Sequence, residues 1–152
     1  MIMLTFDGTF FAAKILLKCF KKMNENKKAV DQKIAVEYLK NFYPRLRNEI
    51  DELSINNNFA GIIQTTINYL RTLLQESKIN IIAHHIKLMD MIYKNGDQYV
   101  KDIIENVFVR SFESFKKHGK ISHWKQLYQN MPLDFQLIYN EQRRQDRIFF
   151  GK

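Results

Sequence analysis

The sequence predicts a single all-α domain of about six or seven antiparallel helices, arranged as a bundle or as HEAT-like helical hairpins. Three observations predict it. Apolar residues recur at spacings of three and four along most of the chain. No stretch alternates convincingly at the period of two that a half-buried strand requires. Capping residues, proline and glycine punctuate the periodic segments at short intervals, so the connections are short and neighbouring helices run antiparallel.

The centre of this organisation is the stretch from Ile79 to Phe115. Ile79, Ile82, Ile86, Met89 and Tyr93 make one helix face, and Ile81, His85, Leu88 and Ile92 make a second. A helix that is apolar on two sides needs neighbours on two sides, which places it in the middle of the domain. Asn95-Gly96-Asp97 forms the turn: Gly96 suits a left-handed helix end, and Asp97 suits the cap of the next helix. Val100, Ile103, Ile104, Val107, Phe108, Phe112 and Phe115 then supply the matching stripe.

Elsewhere the elements follow in order. Thr9 is placed to cap a first helix, with Phe10, Ala13, Leu17 and Phe20 on a packing face and Lys14, Lys18, Lys21 and Lys22 opposite. Met23 through Lys28 reads as a polar linker. Asp31 caps a second helix whose Ile34, Ala35, Tyr38, Leu39 and Phe42 face the core. Pro44 stops that helix and opens the next, which carries Leu46, Ile50 and Leu53. A loop from Ser54 to Asn58 precedes a helix marked by Phe59, Ile62, Ile63, Ile67, Leu70, Leu73 and Leu74, ending near Glu76-Ser77. After the central hairpin, Lys116-Lys117-His118-Gly119-Lys120 reads as a helix end, where bases complement the negative end of the dipole. Ser122 then caps a short helix with Trp124, Leu127, Tyr128 and Met131, and Pro132 opens the last one. The domain spans 1–152: a peripheral helix and linker at 1–30, a core at 31–142, and a basic tail at 143–152.

Whole-chain numbers narrow the function classes. The net charge is +8, shared between the first 32 residues and the rest, so no single basic arm exists. One cysteine, Cys19, excludes an internal disulfide; among Leu16, Leu17 and Phe20 it reads as a packed hydrophobe. Asp7, Lys14 and Lys18 interrupt the apolar start, which argues against a signal peptide, and no run reaches a membrane span. The expected location is cytoplasmic.

No constellation of catalytic residues is legible. His84 and His85 point about 100° apart on a helix and lack the i, i+4 spacing of a zinc pair, so His84 reads as solvated and His85 as a partly buried packing residue with one bonded nitrogen. Asp102, Glu105 and Glu113 fall on outward or flanking positions. Five glycines leave little room for a phosphate-cradling loop. The reading is therefore of a non-enzyme without metal or cofactor. The last helix, with Gln136, Asn140, Arg143, Arg144 and Arg147, comes nearest to a nucleic-acid-binding face, although Glu141 and Asp146 dilute it.

Several landmarks occur in a characteristic order. They are Phe42-Tyr43-Pro44-Arg45-Leu46, the central helix ending in Gly96-Asp97, a helix bearing Val100, Ile104, Phe108 and Phe112, a helix with Trp124 and Leu127, and Met131-Pro132. Over residues 33–142 this order resembles a family of small, all-helical bacterial proteins of unassigned biochemical activity, found among polymorphic-toxin immunity proteins. The resemblance implies an immunity protein that neutralises a cognate toxin by direct binding, and with this basic charge it implies a target other than a basic nuclease, or one met by a local acidic patch. It brings no catalytic residues. The alternative is a helical nucleic-acid-binding or regulatory protein. Aromatic and Arg side chains are the usual anchors of protein interfaces, which singles out Trp124 and Tyr128 in the tryptophan turn and Arg143, Arg144, Arg147, Phe149 and Phe150 in the tail.

Overall fold

A computed structural model describes residues 9–25 and 28–151, without the side chains of residues 9–13, 15, 16 and 19. The described chain is all-α: α1 (Thr9–Glu25), α2 (Gln32–Phe42), a 3-10 turn at Pro44–Leu46, α3 (Arg47–Ile55), α4 (Phe59–Gln75) and α5 (Ile79–Asn95). There follow α6 (Gln98–Ile103), a π turn at Ile104–Phe108, a 3-10 turn at Val109–Ser111, α7 (Phe112–His118), α8 (Ile121–Gln129) and α9 (Leu133–Phe150).

Local chemistry sets most of the boundaries. Asp31 accepts from the Ile34 N–H at 2.9 Å, Asp97 from Val100 at 2.9 Å, and Asn58 from Gly61 at 2.9 Å. Pro44 opens the 3-10 turn that leads into α3, as its fixed φ favours. Helices α3 and α4 both end with a left-handed residue that is not glycine: Asn57 at φ 54° and Ser77 at φ 59°. At each, the next N–H reaches back to the last turn, Asn58 to Leu53 O at 3.0 Å and Lys78 to Leu73 O at 2.9 Å, which closes the helix carbonyls. Ser122 caps nothing: α8 starts at Ile121, and Lys120 stands at its cap without a side-chain bond.

Helix α5 packs against α1, α4, α6 and α8. Both of its apolar faces are buried, including Ile81, Ile82, Ile86, Leu88, Met89 and Ile92. The stretch from Gln98 to His118 is one helical path, because Ile104, Val109 and Phe112 at its junctions all keep right-handed helical dihedrals. Its Phe108 and Phe112 stack edge to face at 5.3 Å and both meet Phe135 of α9, at 6.0 and 6.2 Å, in a fully buried aromatic core.

Three sequence expectations change. Met23 is no linker residue: it lies within α1 and is buried, in contact with the Asn95 amide at 3.7 Å. Leu17 and Phe20 are exposed, so the packing face of α1 is not the one that the spacing suggested; Phe10, Ala13, Cys19 and the Thr9 cap fall outside the described side chains. Gly96 is not left-handed but extended, at φ −75° and ψ 153°. The reason is Val30, whose N–H donates to Asn95 O at 2.7 Å and whose carbonyl accepts from Asp97 N at 2.8 Å. This isolated bridge stitches the entrance of α2 to the α5–α6 turn.

Glycine is required at 96 for close approach rather than for backbone freedom. A Cβ there would lie 2.8 Å from Val100 Cγ1 and 2.9 Å from the Ile92 carbonyl oxygen. The second contact is backbone and cannot rotate away. Gly96→Ala is therefore expected to destabilise the fold by about 1–3 kcal/mol, more than the roughly 0.4–1 kcal/mol gained by restricting the unfolded chain. Urea unfolding of both proteins measures it, and an unchanged or raised midpoint would show that the turn has slack.

Candidate functional site

Helix α9 is held to the body along one side by polar groups around an aromatic centre. Phe135, Tyr139 and Gln142 face inward and are buried. The Tyr139 hydroxyl donates to Glu113 Oε1 at 2.9 Å, and Arg143 pairs with Glu113 Oε2 at 2.8 Å and with Asp146 at 3.4 Å. Arg110 then grips Asp146 through two contacts of 3.0 Å. Gln142 Nε2 donates to the Glu105 carbonyl at 2.8 Å, inside the π turn. Burial, then the bond to Glu113, pushes the Tyr139 hydroxyl above its ordinary range, so it remains a donor.

The opposite side of α9 is unlike an ordinary solvated face. Positions 133, 137, 144 and 148 share it at helical spacing. Leu133, Leu137 and Ile148 are 66%, 59% and 62% exposed, and Phe149 and Phe150 at the helix end are 77% and 72% exposed. Between them Arg144 forks onto Glu141, at 2.8 and 2.6 Å, which raises the Arg144 pKa and lowers that of Glu141.

The anchors expected from the sequence separate into two groups. Trp124 is half-buried, its ring 5.8 Å from Tyr128 and 5.4 Å from Tyr139, and Tyr128 receives a bond from Asn140 Nδ2 at 2.9 Å. Arg143 belongs with these two, fixed against Glu113. Through Tyr139 the tryptophan turn and the start of the supposed tail form one structure. Arg144, Arg147, Phe149 and Phe150 project outward. Residues 143–150 are the continuation of α9, which closes at left-handed Gly151, φ 68°. Leu133, Leu137 and Ile148 were not singled out by the sequence, although their three- and four-residue register with Arg144 was the signal available.

A family model described as "Domain of unknown function (DUF7674)" matches residues 36–145. The matched span takes in Arg110, Glu113, Trp124, Tyr139 and Arg143 and stops short of Asp146 and the exposed end of α9. No curated protein and no solved structure matches the chain.

The adjacent histidines of α5 have a packing role. His85 is buried rather than partly buried, with Phe42 at 4.8 Å, Tyr43 at 4.6 Å and Tyr69 at 5.9 Å between ring centroids. Its Nδ1 has no partner, and neither has the buried Nδ1 of half-exposed His84. Among the described residues no group of three His, Cys, Asp or Glu is placed to hold a metal ion, and no helix is long and apolar enough to cross a membrane.

Burial, with His84 beside it, lowers the His85 pKa from 6.5 to about 3. Protonation is thus resisted in the folded state and easy in the unfolded one. The unfolded chain binds the extra proton below pH 6.5, so folding stability falls as pH drops through that value. At pH 5 the loss from this residue is about 2 kcal/mol relative to pH 7 or above. His85→Leu should flatten the stability profile between pH 7 and 5, measured by chemical denaturation at each pH. Parallel profiles for the two proteins would show that His85 accepts a proton in the fold.

Proposed function

The chain belongs to the family described as domain of unknown function DUF7674, and from the geometry of α9 we propose that it is a non-enzymatic protein-binding module. The observation that carries this reading is the outward face of α9. Three large apolar side chains stand exposed on that face, with Phe149 and Phe150 exposed at the helix end, and the other side of the helix is fixed by Arg110, Glu113, Arg143 and Asp146. Exposed apolar groups gathered on one element mark interaction surfaces, and a helix already ordered loses little freedom when it docks. The matching occupant is a protein with an apolar cleft for Leu133, Leu137 and Ile148 and a carboxylate at its rim to meet Arg147.

The specific form we propose is a cytoplasmic immunity protein that blocks a cognate toxin by direct binding, in keeping with the resemblance across residues 33–142. The nucleic-acid reading draws less support. Gln136 donates to the Tyr128 and Met131 carbonyls at 2.8 and 3.1 Å, Asn140 donates to Tyr128, and Arg143 and Arg144 are ion-paired. Those polar groups are engaged within the fold rather than presented to phosphates or bases.

The test is to look for a toxin gene beside this one and to co-express its product with the chain, together with binding of the purified pair. The wild type should rescue growth. Leu137→Glu/Ile148→Glu should lose rescue and weaken binding by more than about tenfold with an unchanged far-ultraviolet circular dichroism spectrum. A wild type that neither binds nor rescues overturns the proposal. So does a concentration-dependent dimer abolished by the same double variant, because the face would then belong to a second copy.

A further inference from the structure

Away from α9, the last turn of α4, the end of α7 and the first turn of α8 enclose a cavity of about 540 Å³. Its polar lining consists largely of donors. Arg71, Lys120, His118, His123, Ser77 and Ser114 face it, and among the described residues no carboxylate does. Neither Arg71 nor Lys120 forms an ion pair within the described chain, unlike Arg143 and Arg144 of α9 and Arg110 beside it. Among the described residues the only side-chain hydrogen bond of Arg71 is a 3.4 Å contact to Asn68, and its Nε is buried without a partner. A buried guanidinium N–H with nothing to bond carries a desolvation cost, and the unpaired guanidinium borders the cavity where an anion can meet it.

The bases at the end of α7 have a simpler explanation in the helix dipole, but it does not account for the cavity. The carbonyls that would attract them are already used: Phe115 O by Gly119 N at 3.0 Å, Ser114 O by His118 Nδ1 at 2.9 Å, Leu74 O by Ser77 N at 3.0 Å. A carbonyl only accepts, so His118 Nδ1 carries the proton there. The first turn of α8 also borders the cavity. Its earliest backbone donor in a helical bond is Trp124, to Lys120 O, so the N–H groups before it are free of the helix. Leu74 and Phe115 supply the apolar part of the lining.

From the cavity and its cationic, acid-free lining, we infer that it binds a small organic phosphate monoester. The guanidinium of Arg71, the Lys120 ammonium and the hydroxyls of Ser77 and Ser114 match the three terminal oxygens of the phosphate. The volume lies within the range of small-molecule sites, leaving room beside the phosphate for an organic group against Phe115. The inference does not depend on the role of α9.

Phenyl phosphate and inorganic phosphate are the probes, titrated into the full chain and followed by amide chemical shifts. Phenyl phosphate should saturate at one per chain, with shifts confined to α4, α7 and α8. Arg71→Gln and Lys120→Ala should each weaken it by about tenfold or more, while Lys125→Ala, on the same helix but outside the cavity, leaves it unchanged. Two variants on different elements guard against local misfolding of either one. Absence of saturable binding overturns the inference, as does an equal loss in Lys125→Ala, which would mark diffuse attraction to a +8 chain. Equal affinity for both probes would assign the cavity to free phosphate and overturn the organic ligand.

Discussion

Helix α5 carries apolar side chains on two faces, and no single neighbour covers both. The arrangement of the other helices follows from that constraint. Ile81, Ile82, Ile86, Leu88, Met89 and Ile92 are buried together, each contributing roughly 1.5–3 kcal/mol relative to exposure. Burial on this scale accommodates two unfavourable groups on the same helix. His85 sits neutral among rings, and Asp90 is mostly buried with only Lys94, 3.1 Å away, to balance it; desolvation raises the Asp90 pKa despite that partner. The end of α5 is then fixed from outside, by Val30 bridging the Gly96 turn.

The second layer is organised by polar groups at the edge of the aromatic core. In the path from Gln98 to His118, the π turn at Ile104–Phe108 widens the helix just before the 3-10 turn that packs against α9. A widened turn loosens the regular carbonyl ladder, and the Glu105 carbonyl is taken up by Gln142. The Glu105 side chain turns to the Tyr93 hydroxyl at 2.7 Å, while Glu113 serves Tyr139 and Arg143. These carboxylates, which looked like scattered surface charges in the sequence, are half-buried acceptors that fix tyrosines and an arginine.

What was legible in the sequence was local. Asp31 and Asp97 were identifiable as caps because the acceptor and the N–H it meets are three residues apart. The two-faced stripe of α5 was legible because burial on two sides leaves its mark on one helix. Gly96 was misread because its conformation depends on Val30, distant in sequence, and no spacing rule encodes that bridge. Leu17 and Phe20 were misplaced for a related reason: periodicity gives a helix an apolar face without saying that a neighbour covers it. The same limit hid the outward side of α9, where Leu133 and Leu137 look like core in a one-dimensional pattern that also contains Phe135, Ile138 and Tyr139. The cavity was invisible because Arg71 and Ser77 meet His118 and Lys120 only through packing of α4 beside α7.

Charge distribution separates the two surfaces in kind. Around α9, Glu113 of α7 pairs with Arg143, Glu141 with Arg144, and Asp146 with Arg110 of the 3-10 turn, so that helix is close to locally neutral despite its arginines. Exposed ion pairs of this sort add little attraction at a distance. In the proposed role, apolar area is what its outer face would offer a partner, with Arg147 adjusting orientation more than strength. Two groups of bases without ion pairs among the described residues lie elsewhere, exposed Lys14, Lys18, Lys21 and Lys22 of α1 and the lining of the α4–α7–α8 cavity. On α1 those lysines share one helix face but stand exposed on a convex surface, where their attraction to anions is screened within a Debye length. In the cavity the same sign of charge is concave, partly desolvated and backed by an unbonded guanidinium nitrogen. Of the two, only the cavity has the geometry to turn a general excess of base into recognition of one anion.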